Sequence, residues 1–158
     1  MTKVTEKSKL SRRDVLKVAG VGTVAAMGAA TLARSAHATP ADVDAYFKNV
    51  KAAGAKASKV TVDGPEIAEN GNTVPVEVSV DAPMTDKEYV KTIFVAAEGN
   101  PSPEVITFNL TPASGSARVK FRVRLATTQK IRAVAMMNDG RTFTGEKEIK
   151  VTIGGCGG

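Results

Sequence analysis

The sequence predicts an all-β body: an antiparallel sandwich of about seven strands, with one short helix in front and a flexible glycine arm behind. Three observations carry this. From Lys59 onward, apolar and polar residues alternate with a period of two. The strand-like segments follow one another closely, separated by turn signals and without helical periodicity between them. The chain has no Trp and only 4% aromatic residues, and a core built from Val, Ile and Leu favours strands.

Thr39-Pro40-Ala41-Asp42 suits a helix start, with Thr39 as cap and Pro40 in the first turn. Val43, Phe47 and Val50 recur at four and three residues and mark one apolar face, so the helix is expected to run to about Ala57, with Gly54 weakening its last turn. Lys48, Lys51 and Lys56 are its solvated side. The segment 60–62 is a first short strand. In 73–80, Val74, Val76, Val78 and Val80 face one way and Thr73, Pro75, Glu77 and Ser79 the other. Pro75 has no N–H to give to a ladder, which predicts an edge strand or a bulge there. Strands are expected at 89–97 and at 104–110, separated by the turn Asn100-Pro101-Ser102-Pro103. In 118–125, Val119, Phe121, Val123 and Leu125 point inward and Arg118, Lys120, Arg122 and Arg124 outward. The strands 130–137 and 141–153 are joined through Asn138-Asp139-Gly140, a strong hairpin signal. Such a succession fits a sandwich of immunoglobulin type better than a parallel α/β fold.

Residues 1–38 carry most of the charge. The formal net charge is +6 over 158 residues. The first 38 hold seven basic and two acidic side chains, and the remaining 120 hold 15 and 14. The body is therefore close to neutral, which argues against nucleic-acid binding. The first segment has the layout of an export leader: a polar basic start, Ser11-Arg12-Arg13-Asp14-Val15-Leu16-Lys17, an Ala/Gly-rich apolar stretch of about sixteen residues, and Ala36-His37-Ala38 as a small-x-small cleavage pattern. The stretch falls short of the ~20 residues that span a bilayer, so no permanent membrane anchor is expected. Arg12 and Arg13 resemble the twin-arginine export motif, with Val15 where that motif usually has phenylalanine. The expected mature chain starts at Thr39 in a periplasm, giving a leader at 1–38, a body at 39–153 and an arm at 154–158.

Catalytic chemistry finds little support in the body. The one histidine, His37, lies in the leader, so no Ser-His-Asp or Cys-His arrangement and no His-ligated metal site is available after residue 38. Glu66, Glu69, Asp81, Asp86, Glu88 and Glu98 fall mainly in loops without metal-loop spacing. The row Arg118, Lys120, Arg122, Arg124 could dock an acidic partner, although such rows more often discourage edge-to-edge pairing. Of Met136 and Met137, one is expected in the core, and the other could serve a subunit contact.

The tail carries the functional argument. After Ile149, Val151 and Ile153 the chain closes with Gly154-Gly155-Cys156-Gly157-Gly158, and Cys156 is the sole cysteine. Four glycines remove every neighbouring side chain that could shield the thiol, and they leave the backbone free to take either sign of φ. From Ile153 the chain can extend at most ~10 Å to Cys156. No Lys, Arg or His stands beside the thiol to lower its pKa. A self-activated nucleophile would need such help, whereas a cysteine handed to a succession of enzyme pockets would not. The residues thus describe a covalent carrier arm that is itself no enzyme. An all-β structural or binding domain whose tail cysteine only forms intermolecular disulfides is the alternative, and a disulfide homodimer is chemically open to either.

A C-terminal Gly-Gly-Cys-Gly-Gly after an all-β domain and a twin-arginine leader resembles the SoxY family, the sulfur-carrying subunits of the periplasmic thiosulfate-oxidising Sox system. The resemblance implies that Cys156 bears the sulfur intermediates and that Gly154, Gly155, Gly157 and Gly158 form a swinging arm. It implies a heterodimer with SoxZ and visits to the SoxAX cytochrome, the SoxB hydrolase and, where present, the SoxCD sulfane dehydrogenase. Haem, manganese and molybdenum would belong to those partners. No cofactor is expected on this chain beyond the sulfur held on Cys156.

Overall fold

The computed structural model describes residues 37–152 of the chain. Helix α1 spans Pro40–Asn49. Nine strands follow: β1 (Lys56–Ala57), β2 (Val60–Asp63), β3 (Ile67–Ala68), β4 (Val74–Val80), β5 (Val90–Ala97), β6 (Glu104–Asn109), β7 (Arg118–Val123), β8 (Gln129–Met137) and β9 (Thr142–Val151). One 3-10 turn, Pro112–Ser114, precedes β7. Seven of these strands are those expected from the alternation. The two-residue strands β1 and β3 are additions, too short to leave a periodic signal.

The strands form two sheets. The larger runs β1-β9-β8-β5-β6, with β3 also pairing β9, and the smaller runs β2-β4-β7. Pairing is antiparallel except for β1 and β3, which lie parallel to β9. The valine face of β4 makes the contact between sheets. Val74, Val76 and Val78, each 3% exposed or less, pack with Ile93, Val95, Ile131, Ala133, Ala135 and Ile149 of the larger sheet. Burial of each of these valines and isoleucines contributes roughly 1.5–3 kcal/mol relative to exposure. Val119 and Phe121 point inward as expected but stay half-buried, because β7 lies at the edge of its sheet. The Phe121 ring meets that of Phe108 at 5.5 Å.

Helix α1 covers part of the outer face of the larger sheet. Val43 and Phe47 pack with Ala52, Ala96 and Val134 in a second, smaller core. Its start is capped as the sequence implied: the Asp42 N–H donates to Thr39 Oγ1, and the Thr39 N–H donates to Asp42 Oδ2. Its end differs from expectation. The helix stops at Asn49, not near residue 57, because Lys51 turns to φ 58° and Gly54 to φ 75°. The chain then joins β9 as β1. Periodicity through Val50 could not foresee this, since Ala52 still packs on the same core by another route.

Pro75 also departs from expectation. It lies in β4, the central strand of its sheet, with no register shift. The pairing of β2 with β4 ends at Asp63 opposite Glu77, so the side of Pro75 that lacks a donor faces past the end of β2, where no ladder bond is due. Met137 is core, as expected of one of the pair. Met136 packs half-buried against the small core beneath α1.

Candidate functional site

The structure describes the strand that presents the tail. Cys156 and the glycines Gly154, Gly155, Gly157 and Gly158 lie outside the described residues, as does Ile153. The last described residues of β9 are held from two sides. On one side β3 runs parallel: the Lys150 N–H donates to Glu66 O at 3.0 Å and the Thr152 N–H to Ala68 O at 3.1 Å. On the other, the Val151 N–H donates to Thr128 Oγ1 at 2.9 Å, and the Thr128 hydroxyl lies 3.4 Å from Val151 O. Gly71 packs so closely here that a Cβ would meet Leu125 O and Val151 Cγ1, and its own carbonyl accepts from the Leu125 N–H at 2.7 Å. The chain is therefore fixed up to residue 152, four residues before the thiol, and four residues span at most ~14 Å.

Sequence reasoning did not find Thr128, Gly71 or the Glu66–Ala68 segment. The Asn70-Gly71-Asn72 run carries a turn signal, with the Asn72 N–H bonded to Asn70 Oδ1 at 2.9 Å, but nothing local ties it to residue 151. Among the described residues, Ile67, 56% exposed, is the large hydrophobic side chain left open beside this root. No group of three or more His, Cys, Asp or Glu among the described residues could hold a metal. No described helix is long and apolar enough to cross a membrane.

The remaining expected residues are dispersed. Arg12, Arg13 and Ala36 lie outside the described residues. Ala38 is buried, its N–H donating to Asn100 O at 2.7 Å, and His37 Nδ1 lies 2.8 Å from Gly99 O. In the basic row, Arg118 and Lys120 both pair with Glu77 of β4 at 3.0 Å. Glu88 pairs with Arg141 at 2.6 Å, and Glu98 with Arg132 at 3.1 Å. Arg132 also reaches Asp44 of α1 at 2.6 Å and Glu146 at 3.5 Å, beside a cleft of about 490 Å³ between helix and sheet. Hydrogen bonding to Lys130 holds the Glu146 carboxyl below the ordinary glutamate range. Of these pairs Arg132–Asp44 ties helix to sheet and the others join strands and loops; among the described residues they converge on no reacting atom.

Fold and tail together define a class: an immunoglobulin-like β-sandwich body whose last strand, anchored to its end, leads into a single cysteine set among glycines. The family model described as sulfur oxidation protein SoxY matches residues 43–156, from inside α1 to the cysteine itself. The chain belongs to the SoxY family. Among solved structures, it is similar to the sulfur carrier protein SoxY from Chlorobium limicola f thiosulfatophilum, at 27% identity and a TM-score of 0.58, over 70% of this chain and 92% of that one. It also shares its fold with a superoxide reductase (neelaredoxin) from Ignicoccus hospitalis, at 20% identity and a TM-score of 0.54, over 74% and 96% of the two chains. A putative superoxide reductase from Thermotoga maritima is similar at 20% identity and a TM-score of 0.52, over 67% and 90%. At that identity the likeness concerns the fold alone. No curated protein matches the sequence.

Proposed function

We propose that this protein is a covalent sulfur carrier of thiosulfate oxidation, with Cys156 as the attachment point on an arm formed by Gly154, Gly155, Gly157 and Gly158. The observation that carries the reading is the lone cysteine among four glycines, at the end of a family match that reaches residue 156. Its solved relative, named a sulfur carrier protein, supports it. The anchored root at residues 150–152 suits the role as well. The body supplies a fixed surface for partner enzymes, while the last residues have the length to enter a pocket ~14 Å away.

The chemistry asked of this chain is small. Cys156 gives up its thiol proton and forms a disulfide-type bond to the sulfane sulfur of thiosulfate, yielding an S-thiosulfonate. The two electrons released pass to a partner cytochrome, for which SoxAX is the family's candidate. Water then cleaves the terminal S–S bond at a partner hydrolase, SoxB in the family, releasing sulfate and leaving a persulfide on Cys156. A dehydrogenase of the SoxCD kind would oxidise that outer sulfur further. The arm's contribution is access: each host pocket supplies the base, metal or oxidant that the neighbourhood of Cys156 lacks. Export behind Arg12 and Arg13, cleavage after Ala38, residence in a periplasm and pairing with SoxZ complete the proposal.

Intact mass of the protein isolated from thiosulfate-oxidising cells, before and after reductant, tests the reading. Sulfur or thiosulfonate additions that map to Cys156 and vanish with reductant are expected. Recovery from such cells with Cys156 modified only as a homodisulfide would overturn it in favour of a structural disulfide.

A further inference from the structure

We infer that the open edge of β7 is a docking strand, built to accept an extended acidic strand of a partner protein as a fourth member of the smaller sheet. The inference stands whether or not Cys156 carries sulfur.

The direction of the main-chain groups follows from the register. The Val80 N–H donates to Ala117 O at 2.9 Å. The pairs Val78 with Val119 and Val76 with Phe121 lie two and four residues along the same ladder and so share that hydrogen-bonded parity. The N–H and C=O groups of Arg118, Lys120 and Arg122 therefore point away from β4. Because β7 is the last strand of its sheet, they point out of the sheet altogether. No described group bonds to them until the loop at Asn100, whose side-chain Nδ2 donates to Arg124 O at 2.9 Å and ends the open stretch. Six residues at about 3.3 Å each leave roughly 20 Å of unpaired edge.

The other edges differ. β9 is flanked by β1 and β3. β2 is crossed by β9, where a Cβ on Gly145 would meet Val60 O. β6 is open as well, but it begins after Pro103, faces a bulge between Val95 and Ala96 in its partner strand and carries no charge row. On β7, by contrast, the three residues that carry the unpaired groups, Arg118, Lys120 and Arg122, are all basic. Arg118 and Lys120 are 61% and 72% exposed and share the single carboxylate of Glu77. Arg122 stands opposite Pro75, where the neighbouring strand offers no acid. Neither Arg122 nor Arg124 has an ion pair among the described residues. The half-buried Val119 and Phe121 leave apolar surface on the inward side that an added strand would cover.

Charge selects the occupant. Two copies of this chain meeting edge to edge would bring two cationic rows within ~5 Å of each other, and like charges directly opposite destabilise a pair of strands. A strand alternating acidic with apolar residues meets Arg118, Lys120, Arg122 and Arg124 on one face and Val119 and Phe121 on the other. The charge row thus excludes self-pairing and specifies an acidic partner.

The test uses the full-length protein and a nine-residue peptide alternating Glu and Val, with a Lys/Val peptide as control. The Glu peptide is expected to slow amide exchange at Arg118, Lys120 and Arg122. Its affinity should fall at least tenfold on raising salt from about 50 to about 500 mM. Lys120→Pro removes an outward donor and the ion pair to Glu77 while leaving the main-chain ladder to β4 in place, and Arg122→Glu reverses a charge with the backbone intact; each should weaken binding tenfold or more. Equal binding of the Lys peptide, unchanged affinity in a folded Arg122→Glu protein, or salt-insensitive self-association through β7 would overturn the proposal.

Discussion

Gly145 shows how much a single position decides. It sits in β9 opposite Ala133, and a Cβ there would meet Val60 O, so glycine allows β2 to cross the larger sheet. Gly145→Ala should destabilise the protein by about 1–3 kcal/mol, as overpacking against a main chain does, measured by urea unfolding. Asp139 acts through charge in the turn between β8 and β9. The Arg141 N–H, and then its guanidinium, hold the Asp139 carboxyl below the ordinary aspartate range. A carboxyl depressed in the folded state stabilises fully above its unfolded value and loses that contribution as pH falls through the folded one. Asp139→Asn should therefore flatten the loss of stability on acidification below about pH 4, and unfolding midpoints between neutral and acid pH would show it. A profile parallel to that of the unaltered protein would remove this role from Asp139.

Among elements, the end of β9 matters most, because every residue of the tail hangs from it. Thr128 bonds Val151 through one hydroxyl, serving both as acceptor and as donor. Thr128→Val should lower stability by about 1 kcal/mol and speed amide exchange at Val151 several-fold, while exchange at the centre of β8 stays slow. Uniform acceleration across the sheet would mean that the root is no separate unit. Helix α1 is bound by a different logic: an apolar face of Val43 and Phe47, with Asp44 on Arg132, fastens ten residues over part of one sheet face. The hairpin from β8 to β9 was legible beforehand, because Asn138-Asp139-Gly140 requires a positive φ at a residue able to adopt it, and Gly140 has φ 89°.

For the whole molecule, body and tail should be separable. Ile131 is fully buried between the sheets, and Ile131→Ala should cost about 2–5 kcal/mol. Cys156→Ser should shift the unfolding midpoint hardly at all, within ~0.5 kcal/mol, yet abolish any reductant-labile mass. Measuring both properties on both variants checks the separation. A Cys156→Ser protein as unstable as Ile131→Ala would show that the thiol is part of the body's packing, contrary to the carrier reading.

Seven strands, the start of the helix and the hairpin were readable from the chain because each depends on local rules: alternation, capping and turn chemistry act within a few residues. The glycine–cysteine pentapeptide carries its signal locally too, in a sequence that offers no neighbouring side chain able to pack. The end of α1, the placement of Pro75 in a central strand, the clamp of Thr128 and Ala68 on the end of β9 and the open edge of β7 were settled by tertiary structure. Each depends on which strand lies beside which, and that follows from long-range burial of the valine face of β4 against the larger sheet. The sequence alone determined that the body would be a sandwich with a lone cysteine beyond it; packing decided where that tail is anchored and which edge remains open, because hydrogen-bond partners far apart in sequence leave no periodic trace.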